Sequence, residues 1–183
     1  MMVKRIYIAL SLSAGLLASL AVSSVHAHGG QAHVHGTAIL QVVVEGSDVE
    51  IALQSPLDNL VGFEHAPRTD AQRKAMQAMT DQFQNPLSLF VPNAEAGCTA
   101  QPSELHLPFD SEAQGGRDSH SHENHAEMEA VLRFQCANSA ALKGVEVLLF
   151  GRFPGLHSLD VQVVSPRGQA AARLTPKQPR LQW

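Results

Sequence analysis

Apolar and polar side chains alternate with a period of two through much of this chain. From Thr37 to Val44 one face carries Ala38, Leu40, Val42 and Val44 and the other Thr37, Ile39, Gln41 and Val43, the pattern of a strand with one buried face. Glu45-Gly46-Ser47-Asp48 supplies turn residues, after which Val49, Ile51 and Leu53 alternate with Glu50, Ala52 and Gln54; together these segments predict a β-hairpin. The alternation returns in Leu105-His106-Leu107-Pro108-Phe109, which turns His106 away from the leucines. It returns again in Met128, Ala130, Leu132 and Phe134 before Cys136, and in Leu159, Val161 and Val163. Val145 to Phe150 reads as a further strand, Ser165-Pro166-Arg167-Gly168 as a turn and Gln169 to Leu174 as a returning strand. Leu87 to Val91 reads as a short strand or packed extended segment, and Pro92 to Gln101, with Cys98, as loop.

One stretch has a different period. Thr69-Asp70-Ala71-Gln72 has capping-box form, Ala71, Ala75, Met79 and Phe83 then recur every four residues with Met76 beside them, and Asn85-Pro86 stops the run. A helix is predicted there, with one stripe on the sheet. Ahead of it Ser55-Pro56 ends the second strand, and Leu57 to Phe63 reads as a turn or short helix. Strands outnumber helices and their connections read as hairpins rather than crossovers. The expected fold class is therefore α+β, a mainly antiparallel β-sheet with a helix packed on part of one face.

The first residues belong to a different class of segment. Lys4 and Arg5 precede an apolar run from Ile6 to Val22, and Val25 and Ala27 occupy the minus-three and minus-one positions of a cut after Ala27, so residues 1–27 are expected to be an export signal peptide. The mature chain then starts at His28, carries no membrane span, and forms one domain over residues 28–183 with a disordered His-rich loop at about 110–127. Export to an oxidising compartment leads Cys98 and Cys136, the only two cysteines, to pair. By the loop-entropy argument that bridge contributes about 4 kcal/mol at most, and it is expected to fix both ends of the His-rich loop to the domain.

The candidate chemistry lies in the interruptions of the pattern. His120, His122 and His125, with Glu123 among them, fall within the ten residues Asp118 to Glu127. Neutral imidazole suits zinc, copper, nickel and iron rather than calcium or magnesium. In extended chain His120 and His122 project to one side, whereas His122 and His125 share a face only if the backbone turns helically; the Glu123 carboxylate can complete a zinc shell. Asp110, Glu112, Asp118, Glu123, Glu127 and Glu129 are opposed only by Arg117 until Arg133, so the segment attracts cations. A second run, His28-Gly29-Gly30-Gln31-Ala32-His33-Val34-His35-Gly36, places His33 and His35 on one face of an extended chain. A newly exposed His28 can chelate through its amine and imidazole together, which keeps copper (Cu²⁺) as a competitor to zinc (Zn²⁺). His65 precedes the helix cap, where the positive helix end disfavours imidazolium; a packed loop histidine is the alternative there. His157, alone before a strand, reads as structural or exposed.

Other classes of function fit poorly. The net charge is −4 with histidines neutral and no basic block occurs, so no nucleic-acid partner is expected. His122-Glu123-Asn124-His125 has one residue too few for the zinc-protease helix motif, and no nucleophile turn, phosphate loop or Cys-x-x-Cys pair is present. An enzyme is not expected.

These features occur together in one known family. The export signal, Ala32-His33-Val34-His35-Gly36 before a strand, the run from Ser55-Pro56-Leu57-Asp58-Asn59-Leu60 through Val61-Gly62-Phe63-Glu64-His65-Ala66-Pro67, and two cysteines with a His-rich insertion between them resemble the ZrgA-like zinc-regulated periplasmic proteins. The resemblance spans nearly the whole mature chain. It implies a periplasmic zinc-binding accessory to high-affinity zinc uptake, cooperating with an ABC importer and its solute-binding protein. Carried over by position, the ligands are His33, His35, His65 and the cluster His120, His122 and His125. The leading expectation is thus a zinc scavenger. The competitors are a copper-sequestering protein and a non-metal adaptor domain whose sheet binds a protein partner.

Overall fold

The hairpin expected from the alternating pattern lies in the middle of the main sheet. In the computed structural model, which describes residues 34–109 and 126–183, β1 (Thr37–Glu45) and β2 (Asp48–Pro56) pair antiparallel down to Glu45 opposite Asp48. Ala38, Leu40, Val42 and Val44 from β1 and Val49, Ile51 and Leu53 from β2 are buried, as the alternation requires. β6 (Glu127–Cys136) extends the sheet beyond β2 and buries Met128, Ala130, Leu132 and Phe134. Its outer edge is shared by two short strands, β4 (Cys98–Ala100) and β5 (Glu104–His106). Beyond β1 come β8 (Ser158–Ser165) and the edge strand β9 (Gly168–Leu174), so the order is β4-β6-β2-β1-β8-β9 with β5 also on β6.

The neighbours in this sheet are antiparallel except at one place. β1 and β8 run parallel, from Thr37 opposite Ser158 to Val43 opposite Val164, where hairpin connections alone were expected. Period-two alternation specifies which face a side chain takes but carries no information on strand direction. The grouping of β3 (Phe90–Pro92), β7 (Gly144–Val147) and β10 (Arg180–Gln182) into a second, three-stranded sheet of order β10-β7-β3 was not expected, although strands were expected near β3 and β7. Strands of three or four residues are too short for alternation to specify their partners. β10 also approaches so closely that a Cβ on Gly144 would lie 2.2 Å from the Leu181 carbonyl oxygen, which selects glycine there.

Smaller corrections have local causes. The strand expected over Val145 to Phe150 stops at Val147, and Leu149–Arg152 forms a helical turn, α3; Leu149 and Phe153, four apart, are both buried. Leu87 to Val91 divides into a 3₁₀ turn at Pro86–Ser88 and β3, and Cys98 belongs to a strand rather than a loop. A short helix, α1 (Asp58–Val61), follows β2.

The long helix, α2 (Asp70–Phe83), starts as its capping box dictates: the Gln72 amide donates to Thr69 Oγ1 and the Thr69 amide donates to Gln72 Oε1, each at 3.2 Å. Met76, Met79 and Phe83 are buried, but Ala71 is exposed. The whole first turn stands clear of the core, with Asp70, Arg73 and Lys74 exposed as well, so the packing stripe begins one turn later. Phe83 stacks on Phe153 at 5.8 Å between ring centroids, and one apolar cluster joins the buried sheet face, α2 and the small sheet.

Cys98 and Cys136 face each other across β4 and β6 and are disulfide-bonded. The bond closes a loop with a sequence separation of 38. Removing it with paired serine substitutions is expected to lower unfolding free energy by about 2–4 kcal/mol. Urea unfolding of the variant beside the oxidised parent checks this; equal midpoints would show that the loop constraint contributes nothing.

Candidate metal centre

The start of β1 is held by a buried amide. Asn59 and Ser55, 2% and 0% exposed, are the buried polar residues among those described, and both act at this point. Gly36 N–H donates to Asn59 Oδ1 at 2.6 Å, while Asn59 Nδ2 donates to the Thr37 carbonyl at 3.0 Å and to Ser55 Oγ at 3.2 Å. The Gly36 carbonyl in turn accepts from the His157 and Ser158 amides at 2.7 and 2.9 Å. One carboxamide therefore ties β1 to β2 and α1, and the adjoining backbone ties it to β8. Gly36 has φ +81°, and an added Cβ would lie 2.7 Å from His157 Cδ2, so glycine is required on two counts. The lone His157 is exposed, and its ring packs over Gly36.

His35 sits one residue before this anchor, and its imidazole lies between two carboxylates. Nε2 is 3.3 Å from Glu64 Oε1, and Nδ1 is 3.6 Å from Asp58 Oδ2. The His35 side chain is 60% exposed, Asp58 39% and Glu64 19%, so Glu64 forms the enclosed wall of the arrangement. Asp58 opens α1, and Gly62 in the left-handed region at φ +81° ends that helix and redirects the chain towards Glu64. His65 is partly buried; its Nδ1 lies 2.9 Å from the Ala66 carbonyl oxygen and its ring packs on Phe63 at 5.2 Å. With Nδ1 donating to that carbonyl, Nε2 presents a lone pair suited to a metal. His106 is exposed on β5, as its place in the alternation requires.

The same end of the sheet receives the far side of the His-rich stretch. Ala126, the first described residue after it, accepts a hydrogen bond from the Leu57 amide at 2.8 Å, and Glu127 pairs with Pro56. His35, Asp58 and Ala126 thus converge beside α1. The disulfide does not make this attachment, contrary to expectation. Cys136 lies at the other end of β6, where its amide donates to the Ser47 carbonyl in the hairpin turn, and main-chain bonds to Leu57 and β2 hold the Ala126 side.

Of the residues singled out from the sequence, His35 and His65 are described, and His35 is brought to carboxylates of distant sequence position. His28, His33, His120, His122, Glu123 and His125 lie outside the described residues, as does the expected signal peptide at 1–27. Among the described residues no three metal-capable side chains converge on one point. The reason at His35 is geometric, since its carboxylates flank opposite ring nitrogens and one ion can occupy one of them. Among the described residues no helix is long and apolar enough to cross a membrane. Sequence reasoning passed over Asp58, Asn59 and Glu64 as site residues. All three sit in the Ser55 to Pro67 run quoted for the resemblance, but nothing in that run states that it meets His35.

Comparison with known proteins agrees with the resemblance drawn from the motifs. A sequence model described as ZrgA family zinc uptake protein matches residues 32–183, so the chain belongs to that family. Comparison with curated proteins gives no match.

Replacing Asn59 by alanine leaves the Gly36 amide and the Thr37 carbonyl without their partner in a buried setting. It is expected to destabilise the protein by about 2–4 kcal/mol and to speed hydrogen exchange at Gly36. Urea unfolding and exchange mass spectrometry check the two effects; unchanged exchange at Gly36 would mean that the carboxamide does not hold the start of β1.

Proposed function

We propose that this member of the ZrgA zinc uptake family is a periplasmic binding protein, not an enzyme, that scavenges Zn²⁺ and passes it to a high-affinity ABC importer or that importer's solute-binding protein. The observation that supports the reading is the convergence at one end of the sheet. The strand start bearing His35, the Asp58 and Glu64 carboxylates and the return of the His-rich stretch at Ala126 meet there. His35 and His65 supply imidazoles on the scaffold, His33 lies two residues before His35 in the chain, and His120, His122, His125 and Glu123 supply capture ligands close to Ala126 in the chain. His28 at a new N-terminus adds a further donor. The donor set is nitrogen-rich with carboxylates, which matches zinc, the metal of the family. The disulfide agrees with a compartment outside the cytoplasm.

Delivery requires release. An imidazole binds metal only when unprotonated, and its ordinary pKa is about 6.5. Each imidazole ligand therefore weakens binding by about 30-fold between neutral pH and about pH 5. The mature protein is expected to bind Zn²⁺ at about pH 7.5 and to lose most of that affinity at about pH 5 in calorimetric titrations; equal affinity at the two would reject imidazole coordination. Deleting residues 118–125, which leaves Ala126 and the start of β6 in place, is expected to abolish support of growth under zinc limitation. Retained support would favour an adaptor domain, and induction by copper alone would move the assignment to copper sequestration.

A further inference from the structure

The roles of the two carboxylates beside His35 can be taken further, on the premise that the protein binds zinc as read above. We propose that Glu64 is a direct ligand, and Asp58 an orienting outer carboxylate, of a Zn²⁺ ion held on Nε2 of His35.

The spacing distinguishes the two acids. Tetrahedral zinc with bonds of about 2.0–2.1 Å to nitrogen and oxygen separates its ligand atoms by about 3.3–3.4 Å. His35 Nε2 and Glu64 Oε1 are 3.3 Å apart, whereas a charge-assisted hydrogen bond between them would draw in to about 2.7–2.9 Å. The pair is already open by the width that an ion needs. Asp58 lies off the other nitrogen, 3.6 Å from Nδ1. A carboxylate there favours the tautomer with hydrogen on Nδ1, which directs the Nε2 lone pair towards Glu64. The same atom cannot reach an ion on Nε2 across the ring, so Asp58 is a positioning residue and not a ligand.

Enclosure points the same way. Glu64 is the least exposed of the three side chains and His35 the most, so the protein desolvates the ion from the Glu64 side and leaves the remaining coordination positions open. The parts are also held independently of any metal. His35 is placed by the Asn59 anchor, Asp58 by the start of α1 next to the Leu57 to Ala126 hydrogen bond, and Glu64 by the turn at Gly62. Two protein ligands on a rigid frame with open positions suit an ion that arrives from, and leaves to, other ligands.

The test uses the full mature chain with His28→Gln, His33→Gln, His120→Gln, His122→Gln and His125→Gln, so that competition titration with a chromophoric chelator reports on the sheet-end site. In that parent, Glu64→Gln is expected to weaken zinc by at least about 10-fold and Asp58→Ala by about 10- to 100-fold. Asp58→Asn is expected to retain most of the affinity, because the amide oxygen keeps an acceptor on the Nδ1 side of the ring. Glu45→Gln, a charge change at the far end of β1, serves as control and is expected to bind as the parent does. Imidazole ¹⁵N spectra are expected to show His35 protonated on Nδ1, with its Nε2 resonance moving on addition of Zn²⁺. Parent-like affinity in both Glu64→Gln and Asp58→Ala, or coordination through Nδ1, would overturn the assignment. So would a parent that binds no zinc while the unmodified protein binds it, an outcome that leaves the proposed function standing. Absence of binding in the unmodified protein would instead remove the reading on which the assignment rests.

Discussion

A buried carboxamide must find partners for both its oxygen and its nitrogen, and the Asn59 side chain finds them on two separate segments. Its oxygen takes the Gly36 amide; its nitrogen takes the Thr37 carbonyl and the Ser55 hydroxyl. An unmade hydrogen bond in this setting costs more than a made one contributes, so the start of β1, the end of β2 and the first turn of α1 have one arrangement in which all three are satisfied. That arrangement puts His35 beside Asp58. The geometry of the candidate centre follows from polar satisfaction in the core rather than from any attraction among the site residues themselves.

Two groups of carboxylates on this protein show how the neighbouring cation decides what an acid can do. On the solvent face of the main sheet Arg133 bridges Glu50 on β2 and Glu104 on β5 at 3.2 and 2.7 Å. The guanidinium, chiefly through its hydrogen bond, holds the Glu104 carboxyl below the usual carboxylate range. A guanidinium keeps its charge at every relevant pH, so that group is a permanent stitch across three strands. At the other group an imidazole stands between Asp58 and Glu64. An imidazole, unlike a guanidinium, can present a ring-nitrogen lone pair as well as donate a hydrogen bond. The two clusters thus set acids against different bases, one that only donates and one that can also accept.

The disulfide lies at one end of β6, and the end that pairs with Pro56 beside α1 is the other. Cys136 closes on β4 beside the hairpin turn, whereas Glu127 begins the strand opposite Pro56. Stability from the covalent link and placement of Ala126 beside Leu57 are therefore separate matters in this fold. The link shortens the loop available to the unfolded chain, and the β2 to β6 ladder fixes where β6 begins.

Much of the scaffold was legible in the sequence because its rules are local. The faces of β1, β2, β6 and β8 follow from alternation, the start of α2 from the Thr69 and Gln72 capping box, and the pairing of Cys98 with Cys136 from their number and the expected compartment. The family, too, was legible from short motifs, and the match over residues 32–183 agrees. Tertiary structure alone decided the rest. The parallel pairing of β1 with β8, the assembly of the short strands of the second sheet and the meeting of His35 with Asp58 and Glu64 all join segments far apart in the chain. Periodicity assigns each side chain to a face; only the closure of strands against one another determines which faces and which ends come together.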